Sequence, residues 1–175
     1  FQMDLFLRIK QIYSFIFFPF FHSIENMENT ISFNTKFGWI SAIENNKKVT
    51  EIKFCKIKRK AIVTKVLKKL KKNVLLYCDG KAKKIKIPIK ITGSKLQKKI
   101  WRELRKIQFG KTKSYGEIAK KLKLSARYVG RVCGENKHIL IIPCHRVIRA
   151  DGSLGGFSAP TGIKLKKKLI KLEEI

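Results

Sequence analysis

The sequence is short of acidic residues, cysteine, histidine and long apolar runs. Its 175 residues hold 12 acidic side chains against 41 basic ones, a formal charge of +29. A chain with so little negative charge suits a polyanionic partner such as DNA or RNA. Yet 33 of the 41 cations are lysine and both halves of the chain share the excess about equally, so an AT-rich coding sequence accounts for the charge as well. The four cysteines, Cys55, Cys78, Cys133 and Cys144, include no C-x-x-C spacing, and the histidines are His22, His138 and His145. That excludes the usual zinc patterns and gives no disulfide framework, so no metal and a reducing cytoplasmic setting are expected. The one aromatic-rich run, Ile12 to Phe21, is interrupted by Pro19 and falls short of the about 20 apolar residues a membrane helix needs. Arg8 and Lys10 precede it, but no small-residue cleavage site follows. Residues 1–26 are expected to be upstream sequence or a disordered extension, with the native start at Met27 and no membrane partner.

What the chain does have is pattern. Ile31 and Phe33 alternate with polar residues, and Phe37–Ile43 and Val49–Phe54 flank Asn45-Asn46, a hairpin signal. Ile62, Val66, Leu67 and Leu70 share one face of a helix predicted over 61–70. Ile85, Ile87, Ile89 and Ile91 alternate with Lys and Pro88, which predicts an edge strand. Residues 27–91 therefore read as a small α+β domain without a catalytic constellation.

From residue 92 the punctuation changes. Ser94 with Gln97 and Ser114 with Glu117 are capping-box patterns, each followed by an apolar helical stripe. Ser125 can cap a further helix to about Glu135 that buries Ala126, Val129 and Cys133 and presents Arg127 and Arg131. Two short helices across a tight turn, the second with a basic face, fit either a helix-turn-helix or a plain αα-corner. Ile139 to Ile142 reads as a buried strand stopped by Pro143, which delivers Cys144 and then His145. A thiol so placed is either an inert core residue or a nucleophile beside a base. A glycine-dense loop, Asp151 to Pro160, lets backbone approach a ligand. In the last helix Glu173 falls on the apolar stripe of Leu165, Leu169 and Leu172, so it needs a buried partner, for which only three histidines exist.

These residues resemble a family. Gln97…Trp101, Lys113-Ser114-Tyr115-Gly116-Glu117-Ile118-Ala119, Ala126-Arg127-Tyr128-Val129-Gly130, Asn136, Pro143-Cys144-His145-Arg146-Val147-Ile148 and Gly155-Gly156-Phe157-Ser158-Ala159-Pro160 resemble, in order and spacing, the O6-alkylguanine-DNA alkyltransferases. The resemblance implies a ribonuclease H-like α+β domain over 27–91 and a mainly helical, winged helix-turn-helix-like domain over 92–175. It implies a cofactor-free, single transfer of an alkyl group from O6 of guanine, or O4 of thymine, in double-stranded DNA to Cys144. His145 would act on Cys144 through a water, since neighbours on an extended segment face apart, and Glu173 would orient His145. Tyr115 and the backbone N–H of Ser158 would serve the departing guanine. Arg127 would fill the stack after base flipping. Ser114, Tyr128, Arg131 and Asn136 belong to the implied DNA-binding set, with Asn136 a hinge to the active-site strand, and Val147 and Phe157 to the alkyl pocket. A monomer, nucleoid-associated if bacterial, is expected.

Four positions depart from the family pattern: Tyr128 replaces a small residue, Lys137 a Pro, Thr161 a Gly and Phe157 a Tyr. The alternative is a non-catalytic binder of alkylated DNA that recruits other repair factors. Retention of Cys144 and Glu173 argues against it.

Overall fold

The computed structural model describes residues 29–58 and 62–174; the extension read over 1–26 and the start at Met27 lie outside them. The alternating first half builds an antiparallel sheet in the order β1 (Asn29–Thr35), β2 (Gly38–Asn45), β3 (Lys48–Lys53). The register pairs Ile31 with Ala42, Phe33 with Ile40 and Ala42 with Ile52, so the apolar residues of all three strands share one face. The β2–β3 turn lies one residue later than its asparagine pair suggests. Asn46 and Lys47 take left-handed conformations, φ 49° and 60°, the pair of positive values that a tight two-residue hairpin turn requires.

Helix α1 (Lys65–Cys78) covers that face. It starts later than the predicted 61–70 because Thr64 supplies the cap, its side chain accepting from the N–H of Leu67. Ile62 lies ahead of the helix and is exposed, while the buried stripe runs on through Val74, Tyr77 and Cys78. Segment 84–91 forms no extended edge strand. A single bridge joins Val49 and Ile89, with the Pro88 carbonyl accepting from the N–H of Val49 at 2.9 Å. Pro88 has no N–H of its own to carry the ladder further.

The second half comprises α2 (Lys95–Leu104), β4 (Lys113–Ser114), α3 (Tyr115–Leu122), α4 (Ala126–Gly134), a 3-10 turn (Cys144–Arg146), β5 (Val147–Ile148) parallel to β4, and α5 (Ile163–Glu173). Both capping boxes form, and Ser125 caps α4. Lys123 closes α3 in the left-handed conformation, which makes the tight turn between α3 and α4. Ala126, expected inside, is exposed, and Val132 is buried beside Val129 and Cys133 instead.

Residues 139–142 are a series of turns, not the predicted strand. After one bridge between His138 and Ile52 of β3, Leu140 adopts φ 66° and the backbone closes on itself. Ile141 N–H donates to the Ile139 carbonyl and Ile142 N–H to that of His138, both at 2.8 Å. The Asn136 side-chain amide satisfies the Ile142 carbonyl, so these buried polar groups are paired without a ladder. The apolar run divides its side chains: Ile139 and Leu140 enter the core under the sheet, and Ile142 the core between the helices. Leu165, Leu169 and Leu172 of α5 also join the sheet core, which therefore draws on both halves of the chain.

Candidate active site

Pro143 ends the turns and Cys144 opens the 3-10 segment that also carries His145 and Arg146. Cys144 is therefore not on an extended segment, and the opposite-face argument for its separation from His145 does not apply as stated. Its Sγ accepts a hydrogen bond from Nδ2 of Asn136 at 3.2 Å, and no hydrogen bond joins it to the imidazole among the described residues. Burial pushes the Cys144 thiol above its ordinary pKa, against the pull of Asn136 and of Lys166, so at rest it is a protonated thiol that needs a base.

An imidazole, that of His145, follows it in the chain. His145 is fully buried, with Nε2 2.8 Å from Oε1 of Glu173. Of the two histidines among the described residues, His138 and His145, it is His145 that meets Glu173. Four more hydrogen bonds reach the same carboxylate. Arg146 Nε donates to Oε2 at 2.8 Å and Nη2 to Oε1 at 2.9 Å; Gly110 N–H donates to Oε2 at 3.2 Å; and the Tyr77 hydroxyl donates to Oε1. Burial alone would raise the Glu173 carboxyl, but the His145 and Arg146 hydrogen bonds outweigh it and bring the pKa down to about 2. Burial lowers the His145 pKa, with Glu173 opposing, so the ring is neutral at pH 7. With Nε2–H donated to an ionised carboxylate, Nδ1 carries the lone pair, and that buried atom has no partner among the described residues.

On the other side of this turn Cys144 lines a cavity of about 540 Å³ with Tyr115, Cys133, Arg149, Phe157, Ser158 and the backbone of Gly155 and Gly156. Gly155 has φ +65°, and a Cβ there would lie 3.2 Å from the Tyr115 ring and hydroxyl, so glycine favours the close passage of the loop over Tyr115. Burial, with the neighbouring thiols Cys133 and Cys144, pushes the Tyr115 phenol up to about 12. Val147, expected in the alkyl pocket, is fully buried and is not among the residues that line the cavity. Its carbonyl accepts from Nζ of Lys166 at 2.6 Å. This buried ammonium also binds the carbonyls of Leu154 and Gly156 and lies 3.5 Å from the Tyr115 hydroxyl.

Beside the cavity, α3 and α4 form the helix pair. Arg127 and Arg131 are exposed on α4; Arg131 stacks 4.7 Å from the Tyr128 ring centroid and lies 3.8 Å from Glu135. Ser114 is committed as the α3 cap, accepting from the N–H of Glu117 at 3.0 Å. Asn136, implied for DNA, is buried and faces inward: Oδ1 accepts from His138 N–H while Nδ2 serves Ile142 and Cys144. It is a buried side chain behind the thiol and not a surface contact.

Residues 95–175 match the sequence profile described as 6-O-methylguanine DNA methyltransferase, DNA binding domain. Over 144 residues the chain is 35% identical to the methylated-DNA–protein-cysteine methyltransferase of Sulfolobus acidocaldarius, covering 82% of this chain and 91% of that one. The chain belongs to this family. As a methylated-DNA–protein-cysteine methyltransferase it repairs DNA by alkyl transfer to cysteine. The methyltransferase is similar in structure to the Mycobacterium tuberculosis O6-methylguanine methyltransferase, with a TM-score of 0.75 at 26% identity over 85% of this chain and 93% of that one. It is equally similar, at TM-score 0.75 and 26% identity over 83% and 92% of the two chains, to M. tuberculosis OGT in complex with DNA. The mixed α/β architecture with its small antiparallel sheet is common to them.

Three residues of the methyltransferase site escaped sequence reasoning. Arg146 sits inside the Pro-Cys-His-Arg run, yet nothing local marks it as the second cation on Glu173. Lys166 is one position off the apolar stripe of α5 and reads as a solvated lysine. Tyr77 is 96 positions from Glu173, and no local signal connects the two. Among the described residues no cluster of His, Cys, Asp and Glu could hold a metal ion, and no helix is long and apolar enough to cross a membrane.

Proposed function

We propose that Cys144 is the acceptor and that it takes the alkyl group from O6 of a guanine, or O4 of a thymine, flipped out of double-stranded DNA, once and irreversibly. The observation that carries this reading is the hydrogen-bonded Glu173–His145 pair, its Nδ1 without a partner among the described residues, beside a thiol that opens on the same cavity as Tyr115. A water between Sγ and Nδ1 of His145 passes the thiol proton to the imidazole, and Glu173 stabilises the cation that forms. The Sγ–C bond forms as the C–O6 bond breaks. The electron pair left on guanine is neutralised by a proton from Tyr115, whose raised pKa keeps it protonated until then, and the Ser158 backbone N–H faces O6. Tyr115 regains its proton as the imidazolium loses its own.

In this reading α4 lies in the minor groove with Arg127 in the vacated stack, Arg131 and Tyr128 beside the backbone, and Phe157 against the alkyl group. The protein acts as a cytoplasmic monomer, nucleoid-associated if bacterial. The ribonuclease H-like first half (27–91) supports a winged helix-turn-helix-like second half (92–175). Intact mass after incubation with duplex DNA carrying O6-methylguanine tests the assignment. One methyl group is expected on Cys144 and none on the Cys144→Ala protein; an unmodified wild-type protein overturns it.

A further inference from the structure

The relay holds one group that this reaction does not use. Tyr77 lies in the last turn of α1, ahead of the segment that matches the DNA-binding domain. It is 1% exposed, its hydroxyl donates to Oε1 of Glu173, and its oxygen is 3.2 Å from Nε2 of His145. We infer that Tyr77 is a positioning residue for alkyl transfer: it shares Oε1 of Glu173 with His145 and so sets how firmly the carboxylate holds the imidazole proton. This rests on the proposed use of Cys144 and His145.

The argument is one of competition at a single oxygen. Oε1 receives Nε2 of His145, Nη2 of Arg146 and the Tyr77 hydroxyl. Each added donor disperses the carboxylate charge and leaves less of it to favour imidazolium over imidazole. Tyr77 is a permanent donor, because burial and the Glu173 charge drive its pKa far above the ordinary tyrosine value. Its oxygen is also held in place. The ring is packed on the buried face of α1 and stands edge-on to Phe109, with centroids 6.0 Å apart at 87°. The groups facing His145 are Glu173 and Lys166 from α5, Tyr77 from α1 and Arg146 from its own turn. Among them only Tyr77 can lose its hydrogen bond without a change of charge. The placement of α1 on the sheet is thereby coupled to the basicity of a histidine in the other half of the chain.

Tyr77→Phe removes the hydroxyl and keeps the ring. Ring NMR titration of His145 is expected to show its pKa raised by about half a unit or more, about a threefold change in its proton equilibrium. The acid limb of single-turnover transfer against pH should move up with it, slowing transfer about threefold on the limb and leaving rates equal well above it. Fluorotyrosine at position 77, a stronger donor, should shift both readouts the other way and serves if Tyr77→Phe does not fold. Duplex affinity in a Cys144→Ala background should not change. A His145 titration and acid limb that superimpose on wild type, or a rate loss equal at all pH, overturns the inference. A wild-type protein that transfers nothing defeats the proposed function instead, and the His145 titration still decides whether Tyr77 sets the basicity of the ring.

Discussion

The guanidinium of Arg146 grips both oxygens of Glu173, Nε to Oε2 at 2.8 Å and Nη2 to Oε1 at 2.9 Å, while its Nη1 donates to the Ile107 carbonyl at 2.6 Å. A carboxylate buried at 4% exposure is stable as an anion only when its oxygens are so satisfied. Arg146 thus lets Glu173 stay ionised where it can act on His145, and it ties α5 to the loop after α2.

The Glu173 pKa falls from 4.5 to about 2 in the folded protein. A folded-state value below the unfolded one gives stability that is complete above about pH 4.5 and is lost as the pH falls towards 2. Chemical denaturation over that range should show a loss of about 3 kcal/mol with a slope that Glu173→Gln flattens. Parallel slopes for the two proteins would contradict the assignment.

Lys166→Met keeps most of the buried stem and removes the ammonium that binds the Val147, Leu154 and Gly156 carbonyls. Leaving buried acceptors unpaired costs about 1–3 kcal/mol each, less where the loop relaxes into water. A net loss of about 2–4 kcal/mol is expected, read by denaturation. Transfer should weaken too, because the glycine loop over Tyr115 loses its anchor. Unchanged stability would show that these carbonyls find other donors.

Arg127 makes no hydrogen bond or ion pair among the described residues, whereas Arg131 is held by Tyr128 and Glu135. If Arg127 fills the stack, Arg127→Ala should slow transfer from duplex DNA about tenfold or more, since unstacking worth a few kcal/mol is no longer offset. Transfer from free O6-methylguanine base should not change, and Arg131→Ala should have the smaller effect on duplex. Equal losses on duplex and free base would place Arg127 in folding and not in base flipping.

The sequence by itself determined whatever rests on near neighbours. The capping boxes of Ser94 with Gln97 and Ser114 with Glu117, the short turn between α3 and α4, the sheet-forming alternation and the stripe that turns Glu173 inward are all set by spacings of two to four residues, and they appear as read. Even locally there were limits. The asparagine pair misplaced the β2–β3 turn by one residue, and the helix predicted over 61–70 ignored Thr64 as a cap. Only the tertiary structure decided the rest. Residues 139–142 have strand composition, but a strand needs a partner beyond the one bridge to β3, and their backbone pairs with itself and with Asn136. The carboxylate of Glu173 meets His145, Arg146 and Tyr77 because α5, the 3-10 turn and α1 converge on one buried point. The chemistry of such a point depends on distance through space, and separation along the chain does not report it.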